Sequence, residues 1–110
     1  MTDDEINRAV AKIEGWWFDG VCWKSASHAP FTLDSAPPYT TDWVWCGPLL
    51  ERYEIEITRD AHEAGDGRIV WRATAEGFRY QETYPTLPLA VCHAIIVRAE
   101  WYAAHPRPIA

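Results

Sequence analysis

Apolar residues near the N terminus recur at the spacing of a helix. Thr2 or Asp3 can cap this helix. Acidic residues come next, in the first turn, where the helix dipole favours negative charge. Gly15 comes directly after the apolar stripe, where helices commonly end. The stripe comprises Ile6, Ala9, Val10 and Ile13. The pattern therefore predicts an amphipathic helix at the start of the chain.

A longer apolar stripe lies near the C terminus. It begins after Thr86 and stops before Pro106, which predicts a helix over residues 87–104 with Thr86 as its cap. Its members are Leu89, Cys92, Ile96, Ala99 and Ala103, widened by Val91 and Ile95. We expect this helix to cover much of the core.

A shorter helix is predicted in the middle of the chain. Thr40, Thr41 and Asp42 offer a cap for an apolar segment that begins at Trp43. The pair Gly47-Pro48 follows within one turn, and a proline inside a helix removes a hydrogen-bond donor. We therefore expect a kink or a restart there, with a second helical piece over residues 49–52.

Three strand-like runs occupy residues 53–58, 68–75 and 78–84. The first alternates strictly between apolar and polar residues, and the links between the runs are typical of hairpins. An antiparallel meander of three strands is expected. Its apolar face should share one core with the terminal helices, formed by Val10, Ile55, Ile57, Trp71, Tyr80 and Ile96.

The segment GWWFDGVCW at residues 15–23 concentrates three tryptophans and a phenylalanine. Asp19-Gly20 is a strong signal for a two-residue hairpin turn, because such turns need positive φ. This aromatic segment is expected to complete the core, and the alternative is an exposed aromatic patch for binding.

The order of these elements indicates the fold class. We expect a single α+β domain over residues 1–110, with a three-stranded antiparallel sheet and an N-terminal aromatic hairpin. The sheet should pack against the N- and C-terminal helices in an α/β/α-type sandwich.

Composition limits the classes of function. The net charge is -6 and the ten basic residues are scattered, which argues against direct nucleic-acid binding. The chain has no apolar leader and no apolar run of membrane-spanning length, and its three cysteines form no paired motif. We therefore expect a cytoplasmic protein with reduced thiols, as a monomer or weak homodimer.

No sequence motif points to catalysis. The chain lacks the glycine-rich phosphate loops, the nucleophile elbow and the zinc-protease motif. The acidic loop after Asp60 lacks the alternating oxygen ligands of a calcium loop. We expect no enzyme activity, no cofactor and no bound metal.

Two groups of residues are candidate binding sites. The first is an acidic edge that suits a basic surface on a partner protein: Glu54, Glu56, Asp60, Glu63 and Asp66. The second is a tryptophan-lined pocket beside a helix N terminus, which suits a small ligand or nucleotide: Trp17, Trp23, Thr40, Thr41, Asp42 and Trp43. Solubility alone explains the acidic residues, and helix capping alone explains Thr40–Asp42.

Three stretches carry a resemblance to a known family. They are the first helix running into GWWFDG, the segment PPYTTDW at residues 37–43 and TLPLAVCHAII at residues 86–96. Together they resemble the phage ABA sandwich domain, a family of small phage and prophage proteins. The resemblance implies a phage-encoded, cytoplasmic α/β sandwich with no established enzyme activity. The chain departs from the pattern at Gly47-Pro48, where an unbroken helix is expected.

Two hypotheses about function follow. In the first, the protein is a phage accessory factor that binds and modulates a host protein, such as a nucleic-acid-binding defence component of the CRISPR effector kind. In the second, it sequesters a small ligand or nucleotide in a tryptophan-lined pocket. An aromatic-lined cavity would favour the second hypothesis, and a solid core with an exposed acidic face would favour the first.

Overall fold

Three helices and two antiparallel hairpins form over the residues that the computed structural model describes, which are 1–26, 36–61, 69–75 and 82–105. The helices are α1 (Asp3–Ile13), α2 (Trp43–Arg52) and α3 (Leu87–Ala104). The strands are β1 (Trp17–Phe18), β2 (Trp23–Lys24), β3 (Ile55–Ala61) and β4 (Ile69–Ala75). The α+β class expected from the sequence is therefore confirmed.

Helix α1 begins with a capping box. The Glu5 N–H donates to Thr2 Oγ1 at 3.1 Å, and the Thr2 N–H donates to Glu5 Oε1 at 3.3 Å. Reciprocal bonds of this kind satisfy donors that the first turn leaves without partners. Gly15 has a φ of +91°, which leads the chain out of the helix. The predicted N-terminal helix is confirmed.

Helix α3 has the predicted bounds, and the Leu89 N–H donates to Thr86 Oγ1 at 3.4 Å. It packs against β4, α1 and α2, so its buried surface is wider than one stripe. The buried residues are Ala90, Val91, Cys92, Ala94, Ile95 and Ile96. Ala103 of the predicted stripe is exposed. Small residues at positions 90 and 94 let neighbouring elements approach α3 closely.

Strands β3 and β4 pair in antiparallel register from Ile55 opposite Ala75 to Ala61 opposite Ile69. Strand β3 begins two residues later than predicted, because Tyr53 caps the end of α2 and Glu54 takes a φ of +51°. The sharp turn at these two residues separates the helix from the strand.

The predicted third strand, residues 78–84, falls largely outside the described residues. Within them, Tyr84 forms an isolated antiparallel bridge with Trp71, closed by two backbone hydrogen bonds of 2.8 Å. The described part of the sheet therefore has two strands and one bridge. The expectation of a three-stranded sheet is wrong for this part of the chain.

One face of the hairpin β3–β4 joins the core. Ala73 and Ala75 are buried, and Ile55 and Trp71 are half-buried against the same cluster, to which all three helices contribute. The other face carries the exposed Glu56. The described residues thus place their main core on one face, and they do not show the α/β/α-type sandwich that was expected.

The predicted core is partly correct. Val10 and Ile96 are buried, and Ile55 and Trp71 pack against the cluster. Ile57 was assigned wrongly, because 37% of it is exposed. Tyr80 lies outside the described residues.

Helix α2 is continuous from Trp43 to Arg52, so the predicted restart after Gly47-Pro48 is wrong. Asp42 caps it, and its Oδ1 accepts from the Val44 N–H at 3.0 Å. A Cβ at Gly47 would lie 3.0 Å from Trp43 Nε1, so the glycine leaves room for that indole ring. Pro48 interrupts the hydrogen-bond ladder without ending the helix.

Replacing Pro48 by alanine is expected to raise the free energy of unfolding by about 1 kcal/mol. A proline in a helix interior costs roughly 3 kcal/mol relative to alanine, and the loss of packing by the ring offsets part of the gain. Urea denaturation measures the change. Pro88→Ala is the control, because Pro88 lies in the first turn of α3, where proline is tolerated. A Pro48→Ala protein less stable than the wild type would contradict this expectation.

Candidate functional site

The aromatic hairpin forms as predicted, with its turn shifted by one residue. Trp17 pairs with Lys24 and Phe18 pairs with Trp23. The Asp19 N–H donates to the Cys22 carbonyl at 3.2 Å, and Gly20 has a φ of +99°. The central residues of the turn are therefore Gly20 and Val21, with glycine in the first position, as type II′ turns require.

Asp19 is the first residue of this turn, and its side chain stabilises the turn. Its Oδ1 accepts from the Val21 N–H at 2.8 Å and the Cys22 N–H at 2.9 Å, and its Oδ2 lies 2.7 Å from Lys24 Nζ. The hydrogen bond from Lys24, followed by the two backbone bonds, holds the pKa of Asp19 well below its usual range. The turn is thus fixed by local polar contacts.

The aromatic residues of the hairpin divide into a buried and an exposed set. Trp16 and Trp23 are buried, whereas Trp17 is 49% exposed and Phe18 is 43% exposed. The expectation that the segment completes the core is confirmed for Trp16 and Trp23. Trp17 and Phe18, with Val21, are exposed apolar side chains of the hairpin.

A cavity of about 370 Å³ lies between α2 and the end of α1. One face of α2 supplies most of its lining: Val44, Trp45, Pro48, Leu49 and Arg52. The remaining lining residues are Glu14, Trp16 and Tyr39. Ligand pockets usually span roughly 300–1,000 Å³, so this cavity suits a small molecule.

Three aromatic rings line this cavity. Trp45 lies with its ring centroid 5.9 Å from that of Trp16 and 5.9 Å from that of Tyr39. The interplanar angles are 66° and 74°, so both contacts are edge-to-face. Rings held in this way keep a fixed shape, which favours the binding of a flat apolar group.

An ion pair lies at one end of the cavity. Arg52 Nη1 contacts Glu14 Oε1, and the Tyr53 hydroxyl donates to Glu14 Oε2 at 2.6 Å. The Glu14 side chain is 7% exposed and the Arg52 side chain is 53% exposed. Both carboxylate oxygens are therefore occupied by protein donors, while the guanidinium reaches solvent.

Burial changes the ionisation of the two tyrosines near Glu14. It raises the pKa of Tyr39 to about 12, and the nearby charge of Glu14 adds to the effect. Burial, together with the hydrogen bond to Glu14, also raises the pKa of Tyr53. Both hydroxyls are neutral at neutral pH.

Stability is expected to fall at alkaline pH through Tyr39. An unfolded tyrosine ionises near pH 10. The folded state holds the Tyr39 proton more tightly than the unfolded state does. The contribution of Tyr39 to the free energy of unfolding is therefore full below pH 10 and is lost as the pH rises through about 12. Urea denaturation at increasing pH should show a shallower decline for Tyr39→Phe than for the wild type. Equal slopes would contradict the assignment.

None of the residues predicted for the ligand pocket lines this cavity. Trp23 is buried, Trp17 is on the exposed part of the hairpin, and Trp43 is 47% exposed over Gly47. Thr40 is buried and its N–H donates to Asn7 Oδ1 at 2.9 Å, while Asp42 caps α2 and Thr41 is exposed. The cavity therefore lies apart from the predicted pocket residues, and ligand binding at those residues stays a prediction.

Only part of the predicted acidic edge falls within the described residues. Glu54 and Glu56 are exposed at the start of β3. The side chain of Asp60, and the whole of Glu63 and Asp66, lie outside the described residues. The edge as a continuous surface therefore stays a prediction.

Two cysteines meet in the core. Cys46 and Cys92 are fully buried, and a hydrogen bond with the Cys46 thiol, together with burial, raises the pKa of Cys92. A thiol in this state is not an activated nucleophile. Among the described residues, no three histidine, cysteine, aspartate or glutamate side chains are close enough to hold a metal ion. In the same part of the chain, no helix is long and apolar enough to span a membrane.

Comparison with solved structures finds a protein of similar fold. The chain is similar in structure to a phage protein from Bacillus cereus ATCC 14579, with a TM-score of 0.60 and 16% sequence identity. The alignment covers 87% of this chain and 90% of that protein. Neither a protein-family profile nor a curated protein sequence matches the chain. The similarity shows a shared fold.

Proposed function

We propose that this chain is a small phage-type accessory protein that binds a planar ligand in the cavity beside α2. The phage origin, and membership of the phage ABA sandwich family, rest on the shared fold with the Bacillus cereus phage protein and on the three sequence stretches described above. Sequestration of the ligand in a host cytoplasm is the role that suits a protein without a catalytic motif.

The observation that carries this proposal is the aromatic lining of the cavity. Trp16, Tyr39 and Trp45 come from three separate parts of the chain and meet at one open space. A flat ring inserted there would gain about 1–3 kcal/mol from stacking.

Neutral planar probes test this proposal directly. Titration of the ¹⁵N-labelled protein with 2-naphthol and with adenosine would be followed through the indole N–H signals. We expect the signals of Trp16 and Trp45 to shift in a saturable way, since these rings line the cavity. The signal of Trp101, which is exposed on α3, should not move.

Two tryptophans of α2 provide a matched pair of variants. Trp45 lines the cavity, whereas Trp43 lies on the same helix outside it. Trp45→Ala is expected to weaken probe binding at least tenfold, and Trp43→Ala should leave it unchanged. Equal binding by the wild type and the Trp45→Ala variant would reject the cavity as the site, provided that the variant is folded.

Binding to a host protein is the second candidate function. Trp17, Phe18 and Val21 are exposed apolar side chains of the hairpin, and exposed apolar residues often contact partners. The exposed Glu54 and Glu56 would suit a basic partner, such as a nucleic-acid-binding defence component. In this case the protein would act as an inhibitor of the anti-CRISPR kind.

Separate variants distinguish the two surfaces of this second candidate. Capture from a host lysate would be compared for the wild type, a Trp17→Ser/Phe18→Ser/Val21→Ser variant and a Glu54→Lys/Glu56→Lys variant. Loss of one partner with the first variant alone would identify the hairpin as the interface. If neither folded variant changes what is captured, protein binding through these surfaces is wrong.

A further inference from the structure

Three chemical features follow one another along the face of α2 that lines the cavity. Val44 and Pro48 lie toward its N-terminal end, Trp45 lies beside them, and Arg52 lies at its C-terminal end. Each feature selects a different part of a ligand. Their order therefore restricts the ligand more than the aromatic lining alone does.

The first feature is a backbone hydrogen-bond acceptor. In a regular helix the Val44 carbonyl would accept from the N–H of residue 48, but proline has no N–H to donate. The two residues of this missing bond, Val44 and Pro48, both line the cavity. A ligand that carries an N–H group at this end can supply the missing donor.

The second feature is the set of donors that Arg52 retains. A guanidinium has five N–H donors. Among the described residues, the recorded contact of the Arg52 guanidinium with an acceptor is that of Nη1 with Glu14 Oε1. Both oxygens of Glu14 are already occupied, and its charge balances that of Arg52, so this end of the cavity offers the remaining N–H donors of the guanidinium. A planar fork of this kind suits a phosphate or a carboxylate.

The distance between the two features sets the length of the ligand. Residues 44 and 52 are separated by eight helical steps, which is about 12 Å along the axis. A single small ring does not span this distance, whereas an extended nucleoside monophosphate does. The volume of about 370 Å³ is too small for a long oligonucleotide.

We infer that the cavity binds a purine nucleoside monophosphate with an exocyclic amino group. The amino group donates to the Val44 carbonyl, the base packs against Trp45 and the phosphate binds Arg52. This inference rests on the proposed function, because it assigns the chemistry of the ligand to the same cavity. The net charge of -6 gives phosphate no general attraction, so selectivity for the anion depends on Arg52.

Four probes show which parts of the ligand contribute to binding. AMP has all of them, adenosine lacks the phosphate, IMP has an acceptor oxygen in place of the amino group, and inorganic phosphate lacks the base. By calorimetry, we expect AMP to bind at least tenfold more tightly than adenosine and about tenfold more tightly than IMP. Inorganic phosphate should bind more weakly than any of the three.

Three variants connect these differences to residues. Arg52→Gln should reduce the affinity for AMP to that for adenosine, with adenosine unchanged. Pro48→Ala supplies an N–H to Val44, so it should remove the preference for AMP over IMP while the protein becomes more stable. Arg8→Gln is the control, because Arg8 pairs with Asp4 at 2.9 Å on the surface of α1, away from the cavity lining.

The outcomes separate this inference from the proposed function. Binding of adenosine and AMP with equal affinity, or an unchanged AMP preference in Arg52→Gln, would overturn the inference and leave the cavity as a site for neutral planar ligands. A failure of 2-naphthol, adenosine and AMP alike to bind would overturn both. The pattern of tight AMP binding, lost in Arg52→Gln and kept in Arg8→Gln, would support both.

Discussion

Replacing Trp23 by alanine is expected to lower the free energy of unfolding by about 3–5 kcal/mol. Trp23 is 2% exposed and is the largest of the fully buried side chains, so its removal leaves a cavity in the core. Small domains are stabilised by only about 5–15 kcal/mol, so this loss is a large fraction of the total. Urea denaturation followed by circular dichroism measures it.

Two further variants show whether burial is the cause. Trp17 is paired in the same hairpin but is half exposed, so Trp17→Ala should cost clearly less than Trp23→Ala. Trp23→Phe should cost less than Trp23→Ala, because Trp23 Nε1 is buried without a hydrogen-bond partner among the described residues. Equal losses for Trp17→Ala and Trp23→Ala would contradict the division of the hairpin into a buried and an exposed set.

Replacing Glu14 by alanine is expected to lower the free energy of unfolding by about 2 kcal/mol. The side chain is almost fully buried and accepts from both Arg52 and the Tyr53 hydroxyl. Alanine leaves the buried Tyr53 hydroxyl without its acceptor, and an unsatisfied buried group costs about 1–3 kcal/mol. Arg52 is half exposed, and its guanidinium can be solvated by water when Glu14 is absent. The loss of the ion pair therefore contributes less than the loss of the hydrogen bond.

A double-mutant cycle isolates the hydrogen bond. Tyr53→Phe removes the donor while leaving Glu14 paired with Arg52, and the double variant lacks both partners. We expect the two substitutions together to cost clearly less than the sum of the single losses. Additive losses would show that Glu14 does not stabilise the fold through Tyr53.

Helices were predictable from the sequence because their signals are local. The capping threonines, the apolar spacing and Gly15 fixed the bounds of α1 and α3 without knowledge of their neighbours. The sheet was less predictable, because alternation does not say which face is covered. Ile57 alternates as a core residue does, yet 37% of it is exposed.

The cavity could not be located from the sequence, because its walls come from separate segments. Glu14 and Trp16 follow α1, Tyr39 precedes α2, and Arg52 ends α2. The helix N terminus suggested a site at Thr40–Trp43, where Asp42 caps α2, and that site stays a prediction. The available signal was the spacing of Trp45, Leu49 and Arg52 on one face of α2, next to a proline that frees a carbonyl.

The central claim is that the cavity beside α2 binds a nucleoside monophosphate. The structure of the protein in crystals grown with AMP tests it most directly. We expect density for the base in this cavity, packed against Trp45, with the phosphate against Arg52. Density for AMP elsewhere on the protein, with this cavity unchanged, would contradict it.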